Sequence, residues 1–330
     1  MRMRRAMLFA LIATAVAPAL PAAADIGKSP AGAKGTVVSF EGGYLYQDAP
    51  SVNGYGVTTT PGGPIRDVTV SPDDGYFLGG LIGYDNGTPF VGGFHRIEFY
   101  LLYDRADDSA SDSVPPLADI VLKSVDGEVL ITTGGLRGKT SVERETWEWG
   151  FRLEDDDIIN PTTTVTWVIS PFIRGVDEDT DTTVNGCCLL ARTASVDSLL
   201  YGVYVAAEPE TWFTSTIALV GRVGAGIYGY DSDGNFSSAA TVVPDPFAAK
   251  VSDSASGVGF RGLLGIGLKF RLSANANLET FGEADYFSDV GTANIVNNQP
   301  TNSYVSHVDT DDLFEVRTGA RITIGFGPAN

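Results

Sequence analysis

Few residues of this sequence stand in an arrangement that would support catalysis. The stretch "SHVDTDD", residues 306–312, brings His307 within two positions of Asp309, a pairing that would give a general base and its orienting partner. Acidic residues are frequent throughout this part of the sequence, and it contains no nucleophile motif of the G-x-S-x-G type. We interpret the stretch as a solvated polar loop and predict that the protein is not an enzyme.

Two further motifs bear on metal binding and redox chemistry. Cys187 and Cys188 are adjacent, a spacing that matches no metal motif; a vicinal disulfide, a bridge to another molecule and two free thiols are all open, and we favour a local bridge without a function. In "YDSDGN", residues 230–235, Asp231 and Asp233 alternate as in a calcium loop, but the glycine is misplaced and no Glu follows at the twelfth position. We interpret it as an Asx-rich turn and expect no metal and no cofactor.

The elements that would position these residues are strands. In "TWEWGFRL", residues 146–153, Trp147, Trp149, Phe151 and Leu153 alternate with smaller or polar residues. Successive side chains of a strand point to opposite faces, so the pattern predicts one apolar and one polar face. About ten such segments recur by pattern, near residues 35–47, 75–84, 93–104, 142–153, 164–175, 198–208, 212–230, 257–271, 275–287 and 312–326.

The connections between these segments alternate in length. Long connections are predicted at 48–74, 105–141, 176–197, 231–256 and 288–311, and short ones at 85–92, 154–163, 209–211 and 272–274. Long strands joined alternately by short turns and long loops are typical of a transmembrane β-barrel, whereas a soluble sandwich has no reason to keep its long loops at one end. The apolar faces would then contact lipid.

Aromatic residues fall toward the two ends of the segments, as interfacial girdles would require. Tyr44, Tyr46, Tyr103, Tyr228 and Tyr286 are predicted at the long-loop end, and Tyr84, Phe94, Phe151, Trp167, Trp212, Phe213, Phe270 and Phe326 at the short-turn end.

The N-terminus has the three-part plan of an export signal. Three arginines among the first five residues precede an apolar run and then three alanines, which predicts cleavage after Ala24 and hence a signal peptide at 1–24. We expect a periplasmic N-terminal segment at 25–34, a barrel at 35–326 and a C-terminal tail at 327–330. The net charge of −19 makes nucleic acid an unsuitable partner, because its phosphates would be repelled.

The last segment, "RTGARITIGF", resembles the C-terminal assembly signal of bacterial outer-membrane β-barrel proteins. Arg317, Gly319, Ile322, Ile324 and Phe326 fill the polar, glycine, hydrophobic and aromatic places of that signal, although the chain continues for four residues beyond it. The resemblance implies insertion by the barrel-assembly machinery, residence in the bacterial outer membrane, and contact with outer-membrane lipid and lipopolysaccharide.

These patterns predict an all-β fold, a single closed antiparallel up-and-down transmembrane β-barrel of about ten strands with short periplasmic turns and long extracellular loops. By strand parity, charges of both signs face the lumen, where they form a salt-bridge network or line a pore. The predicted lumen-facing residues are Arg96, Glu98, Arg144, Glu148, Arg152, Arg174, Arg222, Arg261, Lys269, Arg271, Glu279, Glu283, Glu315, Arg317 and Arg321.

About ten strands enclose a plugged or narrow bore, so our first functional prediction is a narrow porin-like pore for small solutes or ions. The alternative is a closed structural barrel whose acidic extracellular loops, such as "DEDTD" at 177–181, mediate surface binding or adhesion. A remote alternative comes from the omptin proteases, outer-membrane barrels of ten strands with Asp-Asp and Asp-His pairs at the external rim. The chain is similar to them in strand number and acidic loops but carries no omptin signature, and His307 does not match the order of that family. The oligomeric state is open.

Overall fold

The structure, a computed structural model, describes residues 35–58, 63–87, 93–113, 119–127, 129–133, 137–185, 189–241, 247–295 and 305–326. Every regular element within these ranges is a β-strand. Among these residues, no helix has the length and apolar character that a membrane span requires. The predicted signal peptide, the segment at 25–34 and the tail at 327–330 lie outside the described residues.

Ten long strands form a ring. They are β1 (Gly35–Asp48), β4 (Asp74–Asp85), β5 (Arg96–Ser113), β8 (Arg137–Asn160), β9 (Thr163–Asn185), β10 (Leu189–Trp212), β11 (Ile217–Ala240), β12 (Phe247–Ser273), β13 (Ala276–Asn294) and β14 (His307–Phe326). Each is antiparallel to its neighbours, and β1 pairs with both β4 and β14, which closes the barrel. The predicted antiparallel, up-and-down arrangement of ten strands is confirmed. The register also places Lys269 opposite Glu279, as a hairpin turn near 273–275 requires.

In the part of the wall nearer the short turns, the outer face is apolar and the inner face is polar. Phe151 on β8 is 43 % exposed, whereas Glu148, on the inner face of the same strand, is 2 % exposed. The same contrast recurs around the barrel, with outward Phe40, Ile227 and Leu264 all more than half exposed. A band of exposed apolar side chains on a closed barrel is the surface that lipid would cover. We call it the apolar band.

For two residues the girdle prediction is wrong. Tyr228 and Trp212 are 2 % and 7 % exposed and point into the lumen, because both have even numbers on strands whose even positions face inward. Tyr228 packs against Phe287 there, and its hydroxyl donates to the carbonyl of Ser288.

Three of the predicted long loops, at 105–141, 176–197 and 231–256, are mostly strand. Residues 176–185, 189–197, 231–240 and 247–256 continue β9, β10, β11 and β12, with unbroken pairing from β9 to β12. Together with 108–113 of β5 and 137–145 of β8 they form a six-stranded curved sheet above the apolar band, which we call the extension. The nine residues 189–197 of β10, for example, span roughly 30 Å of strand, so the extension stands well clear of the apolar band.

The polarity of the wall reverses in the extension. Asp179, Asp181 and Asp233 point outward, whereas Val196 and Phe236 point inward and are at most 1 % exposed. The outer face of the extension is therefore suited to water, and its inner face is suited to packing.

A second sheet occupies the concave side of the extension. Its strands are β2 (Val52–Val57), β3 (Arg66–Val70), β6 (Asp119–Lys123) and β7 (Val129–Thr133), in the order β3-β2-β6-β7. They come from the first two long connections of the barrel. Tyr55, Ile120 and Leu122 are fully buried against Val184 and Leu190 of the wall. We call this element the plug sheet.

Candidate functional site: a closed, charged lumen

A layer of buried side chains closes the lumen between the apolar band and the extension. Each barrel strand contributes to it an inward side chain that is no more than 4 % exposed. The middle layer, as we call it, contains Gln47, Phe77, Asp104, Thr146, Arg174, Leu200, Tyr228, Arg261, Phe287 and Glu315. Since water scarcely reaches these side chains, the described part of the chain leaves no continuous aqueous path across the lumen at this height.

Arg174 lies at the centre of the ion-pair network in the middle layer. Its guanidinium donates to Glu315 and lies 3.3 Å from a carboxylate oxygen of Glu148 and 3.7 Å from one of Asp104. Arg174 on β9 and Glu315 on β14 stand on opposite sides of the ring in strand order. Their ion pair therefore ties the wall together across the lumen.

Two further arginines extend this network. Arg261 and Arg317 both donate to Asp285, at 2.9 and 2.8 Å, and Arg261 also donates to Glu148 at 2.9 Å. Burying an ion costs several kcal/mol unless partners offset the loss of hydration, and here each arginine has at least two carboxylates. The charges are thus packed as a mutually neutralising set.

Aromatic rings fill the space between these charges. The guanidinium carbon of Arg174 lies 4.4 Å from the ring centre of Phe287, and that of Arg261 lies 4.6 Å from Tyr204 and 4.9 Å from Phe172. Cation–π contacts of this kind stabilise an arginine where water is excluded. The middle layer is therefore occupied by side chains that have partners on several sides.

Below the middle layer the lumen widens into a cavity of about 220 Å³. Thr164 and Asn275, beside two of the short turns, are part of its lining, so it opens at the short-turn end. We call this cavity the vestibule. Its charges are paired as Arg96–Glu154, Arg152–Glu154, Arg152–Glu208, Arg152–Glu98, Arg222–Glu279, Arg222–Glu283, Lys269–Glu210, Arg321–Glu41 and Arg321–Glu279. Arg271 stacks 4.2 Å above the Trp212 ring nearby.

Above the middle layer a buried ion pair holds the top of β13. Arg144 donates to Glu178, and both side chains are at most 1 % exposed. Glu178 also accepts from the Thr292 hydroxyl and the Ala293 amide, both at 3.1 Å. The end of the β13–β14 hairpin is thereby bent over the lumen, after a register shift between Phe287 and Val290.

Arg192 fixes the plug sheet to the wall. Its guanidinium donates to the backbone carbonyl of Lys123 at 3.0 Å and to those of Asn53 and Gly54. Arg192 is 1 % exposed, and burial lowers the pKa of its guanidinium to about 9. One side chain of β10 therefore holds two strands of the plug sheet through their backbones.

The stretch 306–312 lies mostly in β14, which begins at His307, so its interpretation as a loop is wrong. Cys187 and Cys188 lie outside the described residues. Nδ1 of His307 lies 3.2 Å from the carbonyl of Val305, and Asp309 accepts from Asn294, so the two side chains have separate partners. In the described part of the chain no group of three or more His, Cys, Asp or Glu side chains is arranged to hold a metal ion.

The acidic motifs are strands. "YDSDGN" belongs to β11, where Asp231 and Asp233 alternate because both point outward, so the interpretation as a turn is wrong. "DEDTD" belongs to β9, where Asp177 and Asp179 point outward and Glu178 points inward. Asp177, Asp179, Asp231 and Asp233 therefore face the outside of the extension and do not line a mouth of the lumen. Burial and the neighbouring carboxylates raise the pKa of Asp177.

The residues of the predicted assembly signal lie on β14 with alternating orientation. Arg317 points into the lumen, whereas Ile322 and Phe326 are exposed in the apolar band. Gly319 lies at the seam with β1, where a Cβ would stand 2.4 Å from the carbonyl oxygen of Gly42.

Sequence reasoning missed several members of the lumen. Asp104 follows Glu98 on β5 at even spacing, so strand parity was a sufficient signal for it. Glu178 and Arg192 were missed because they fall in segments interpreted as loops.

The fold and the lumen define an all-β antiparallel barrel with an apolar band around it and ion pairs inside it. No family model and no curated protein matches the sequence. The solved structures to which the chain is similar are outer-membrane β-barrel proteins, the class that the last strand resembles.

Three of these structures illustrate the likeness. The outer membrane protease OmpT from Escherichia coli is 9 % identical, with 88 % of this chain and 97 % of that chain covered and a TM-score of 0.47. The outer membrane protein OprG from Pseudomonas aeruginosa is 13 % identical, with 90 % and 99 % covered and a TM-score of 0.26. Ail, the attachment invasion locus protein of Yersinia pestis, is 12 % identical, with 88 % and 99 % covered and a TM-score of 0.23. The names of two of them, a protease and an attachment invasion protein, denote different functions.

Proposed function

We propose that the protein is a non-conducting barrel of the bacterial outer membrane, which carries its folded extension on the outer side as a surface for binding. The short turns then lie in the periplasm. The observation that carries the proposal is the middle layer, in which all ten barrel strands contribute a buried inward side chain. A pore needs a hydrated path, and this layer replaces water with ion pairs and aromatic rings.

The apolar band supports the membrane location. Exposed apolar side chains on a closed ring of strands are costly in water, whereas closure leaves no unpaired strand edge in lipid. The reversal of wall polarity above the band supports a part that stands in water, and its outward carboxylates make that part acidic.

The porin-like pore is the second candidate, and the vestibule favours it. A charged cavity of about 220 Å³ at the short-turn end would be half of a channel. Conduction then requires both the middle layer and the plug sheet to move, against the buried contacts of Arg174 and Arg192.

The first test is electrical. The refolded chain is reconstituted into planar bilayers, and insertion is verified on matching vesicles by heat-dependent gel mobility and protease protection. We expect no discrete conductance steps from protein shown to be inserted. Reproducible steps, with an ion selectivity that changes on neutralising Arg144, Arg152 or Arg174, would replace the proposal by the pore.

The second test determines orientation. In a background of Cys187→Ser and Cys188→Ser, single cysteines are placed at exposed positions, one in the extension as Ser252→Cys and one in the β12–β13 turn as Ala274→Cys. A membrane-impermeant thiol reagent on intact cells should label the first variant only. Labelling of Ala274→Cys alone would reverse the orientation and contradict a surface role.

A further inference from the structure

Strand β12 has an open edge above the apolar band. β11 pairs with it from Phe247 to Phe270, whereas its pairing with β13 begins only at Arg261. Over residues 247–260 the described chain therefore provides a ladder partner on one side alone. The outer face of this segment is uncovered, since Val258 is 75 % exposed and most of the residues before it are exposed.

The backbone groups that face this edge follow from one hydrogen bond. The Phe260 amide donates to the Ser288 hydroxyl at 2.9 Å, on the side where β13 begins. The N–H and C=O of a strand residue point to the same side, and successive residues alternate. The even-numbered residues from 248 to 258 thus present their amides and carbonyls to the open edge, while the odd-numbered ones pair with β11.

This edge has little of the protection that natural sheets use. Exposed edges are commonly blocked by proline, by charged residues or by bulges. Lys250 and Asp253 are the charged residues of the segment, and Asp253 is engaged with the Val308 amide at 3.1 Å. From Ser254 to Gly259 the sequence has no charge and no proline, and the pairing with β11 shows no register shift.

The inner face of the open strand is apolar and incompletely covered. Ala249, Val251 and Ala255 are partly buried and pack against the cluster that contains Val196 and Phe236. A strand added beside β12 would extend the curved sheet and cover the side of this cluster. The edge therefore offers both unpaired backbone and apolar surface.

The charges around the edge select the occupant. On β11, Asp233 and Asp231 stand opposite Ser254 and Ser256. Further carboxylates lie at the tops of β13 and β14, namely Asp289, Asp309, Asp311 and Asp312. Against these, Lys250 supplies a single positive charge. An added strand would run about 5 Å from β12 and about 10 Å from β11, which is roughly one Debye length at moderate salt, so the β11 carboxylates would attract a basic strand most strongly at low salt.

We propose that the edge of β12 at residues 248–258 binds an extended basic peptide segment as an additional β-strand. The proposal deepens the proposed surface function, on which it rests, by naming the class of partner. A second copy in the same membrane fits less well. Its β12 would run in the same direction as the first, and the two strands would cross at twice the strand tilt, roughly 80°, which prevents them from pairing along their edges. Strand addition supplies affinity through backbone hydrogen bonds, and the carboxylates supply the preference for basic side chains.

The test uses the full chain refolded in detergent micelles with fluorescein-labelled (Lys-Val)₄ as the probe and (Glu-Val)₄ as its charge-reversed control. Binding is followed by fluorescence anisotropy, and amide hydrogen exchange is measured over β11 and β12. We expect the Lys-Val peptide to bind and to slow exchange at the even-numbered amides from 248 to 258 by at least tenfold, with no change in the vestibule.

A pair of variants separates backbone pairing from other contacts. Ser254→Pro removes an edge amide but no hydrogen bond to β11, so it should abolish the protection; Ser254→Ala keeps the amide and should bind as the native chain does. Unchanged exchange within β11 verifies that the proline variant is folded. As a second approach, Asp231→Asn with Asp233→Asn should weaken binding several-fold at low salt and less at high salt.

Three results would overturn the proposal. Equal binding of the Glu-Val peptide would exclude a preference for a basic partner. Protection that survives Ser254→Pro would exclude binding by strand addition. Protection that rises with protein concentration in the absence of peptide assigns the edge to a second copy. None of these readings depends on conductance, so a conducting barrel refutes the closed lumen while an unprotected edge refutes the peptide site.

Discussion

Replacing Arg174 by methionine should destabilise the barrel more than any surface substitution. The side chain is fully buried and joins carboxylates from three other strands, Glu148 on β8, Asp104 on β5 and Glu315 on β14. Methionine fills a similar volume but carries no charge, so the effect isolates the ion pairs.

The magnitude follows from what remains for each carboxylate. Glu148 keeps Arg261 at 2.9 Å, and Glu315 keeps Arg317 at 3.4 Å. For Asp104 the described residues provide no other direct ion pair and no hydrogen bond to either carboxylate oxygen, although Arg317 also attracts it from a greater distance. Leaving a buried charge without a partner costs about 3–5 kcal/mol, and because Arg317 still attracts Asp104 we expect the loss in free energy of unfolding at the lower end, about 3 kcal/mol.

A second substitution tests this explanation directly. If the loss comes from the isolated charge of Asp104, then Asp104→Asn in the Arg174→Met background should recover about 1–3 kcal/mol, whereas Asp104→Asn alone should not stabilise by that amount. The free energies are measured by urea titration in lipid vesicles, with tryptophan fluorescence and heat-dependent gel mobility as two readouts.

The matched control is an exposed ion pair between β3 of the plug sheet and β5 of the wall. Arg66 lies 3.6 Å from Asp112, with side chains 79 % and 46 % exposed, so Arg66→Met should cost less than about 1 kcal/mol. Equal losses for Arg66→Met and Arg174→Met would refute the reasoning. So would a loss below about 1 kcal/mol for Arg174→Met, because the lumen would then be hydrated enough to screen its charges.

Three further perturbations test other parts of the molecule. Asp177→Asn should stabilise the extension by about 0.5 kcal/mol at pH 7 and low salt. Because the folded pKa of Asp177 is raised, its unfavourable charge is present above that pKa and disappears as the pH falls toward the ordinary value of 3.8. Thermal unfolding at pH 7 and pH 4 should show the gain shrinking, and an equal gain at both would contradict us. Arg192→Leu should speed amide exchange in β2 and β6 while leaving the vestibule strands unchanged, since it removes three contacts to plug carbonyls; unaltered exchange would mean that the apolar contacts suffice. Gly319→Val should lower the yield of folded barrel on refolding, because its Cβ would stand 2.4 Å from the carbonyl oxygen of Gly42, whereas at Gly282 the nearest contact is 3.9 Å and Gly282→Val should refold normally. Equal yields would show that the seam adapts.

Strand parity was enough to place the wall of the barrel in the apolar band. Trp149 and Phe151 alternate with Glu148 and Arg152, and such a strand can meet lipid and lumen in only one way once its apolar face is outside. The ten strands could be predicted because each carries this contrast over a stretch long enough to cross a bilayer.

The extension was missed because its strands lack the contrast. In β9, Asp177, Asp179 and Asp181 point outward, and the residues between them, Glu178 and Thr180, are also polar. A strand with two polar faces resembles a solvated loop in sequence. The inward polar groups of β9 can be buried only because residues on other strands form hydrogen bonds and ion pairs with them, as Arg144 and Thr292 do with Glu178. Those partners lie on other strands, and no local pattern reveals them.

The reversal of polarity along each long strand also determines what stabilises its two parts. In the extension, water surrounds the wall, so burial of Val196 and Phe236 against the plug sheet is favoured as in a soluble protein. In the apolar band the outer solvent is as apolar as the side chains, and burying more apolar surface inside gains little. Cohesion there has to come from the backbone ladder and from pairs such as Arg174–Glu315 and Arg261–Asp285. The charges of the lumen therefore have a structural reason to be present whether or not the barrel conducts, and their presence alone is no argument for a pore.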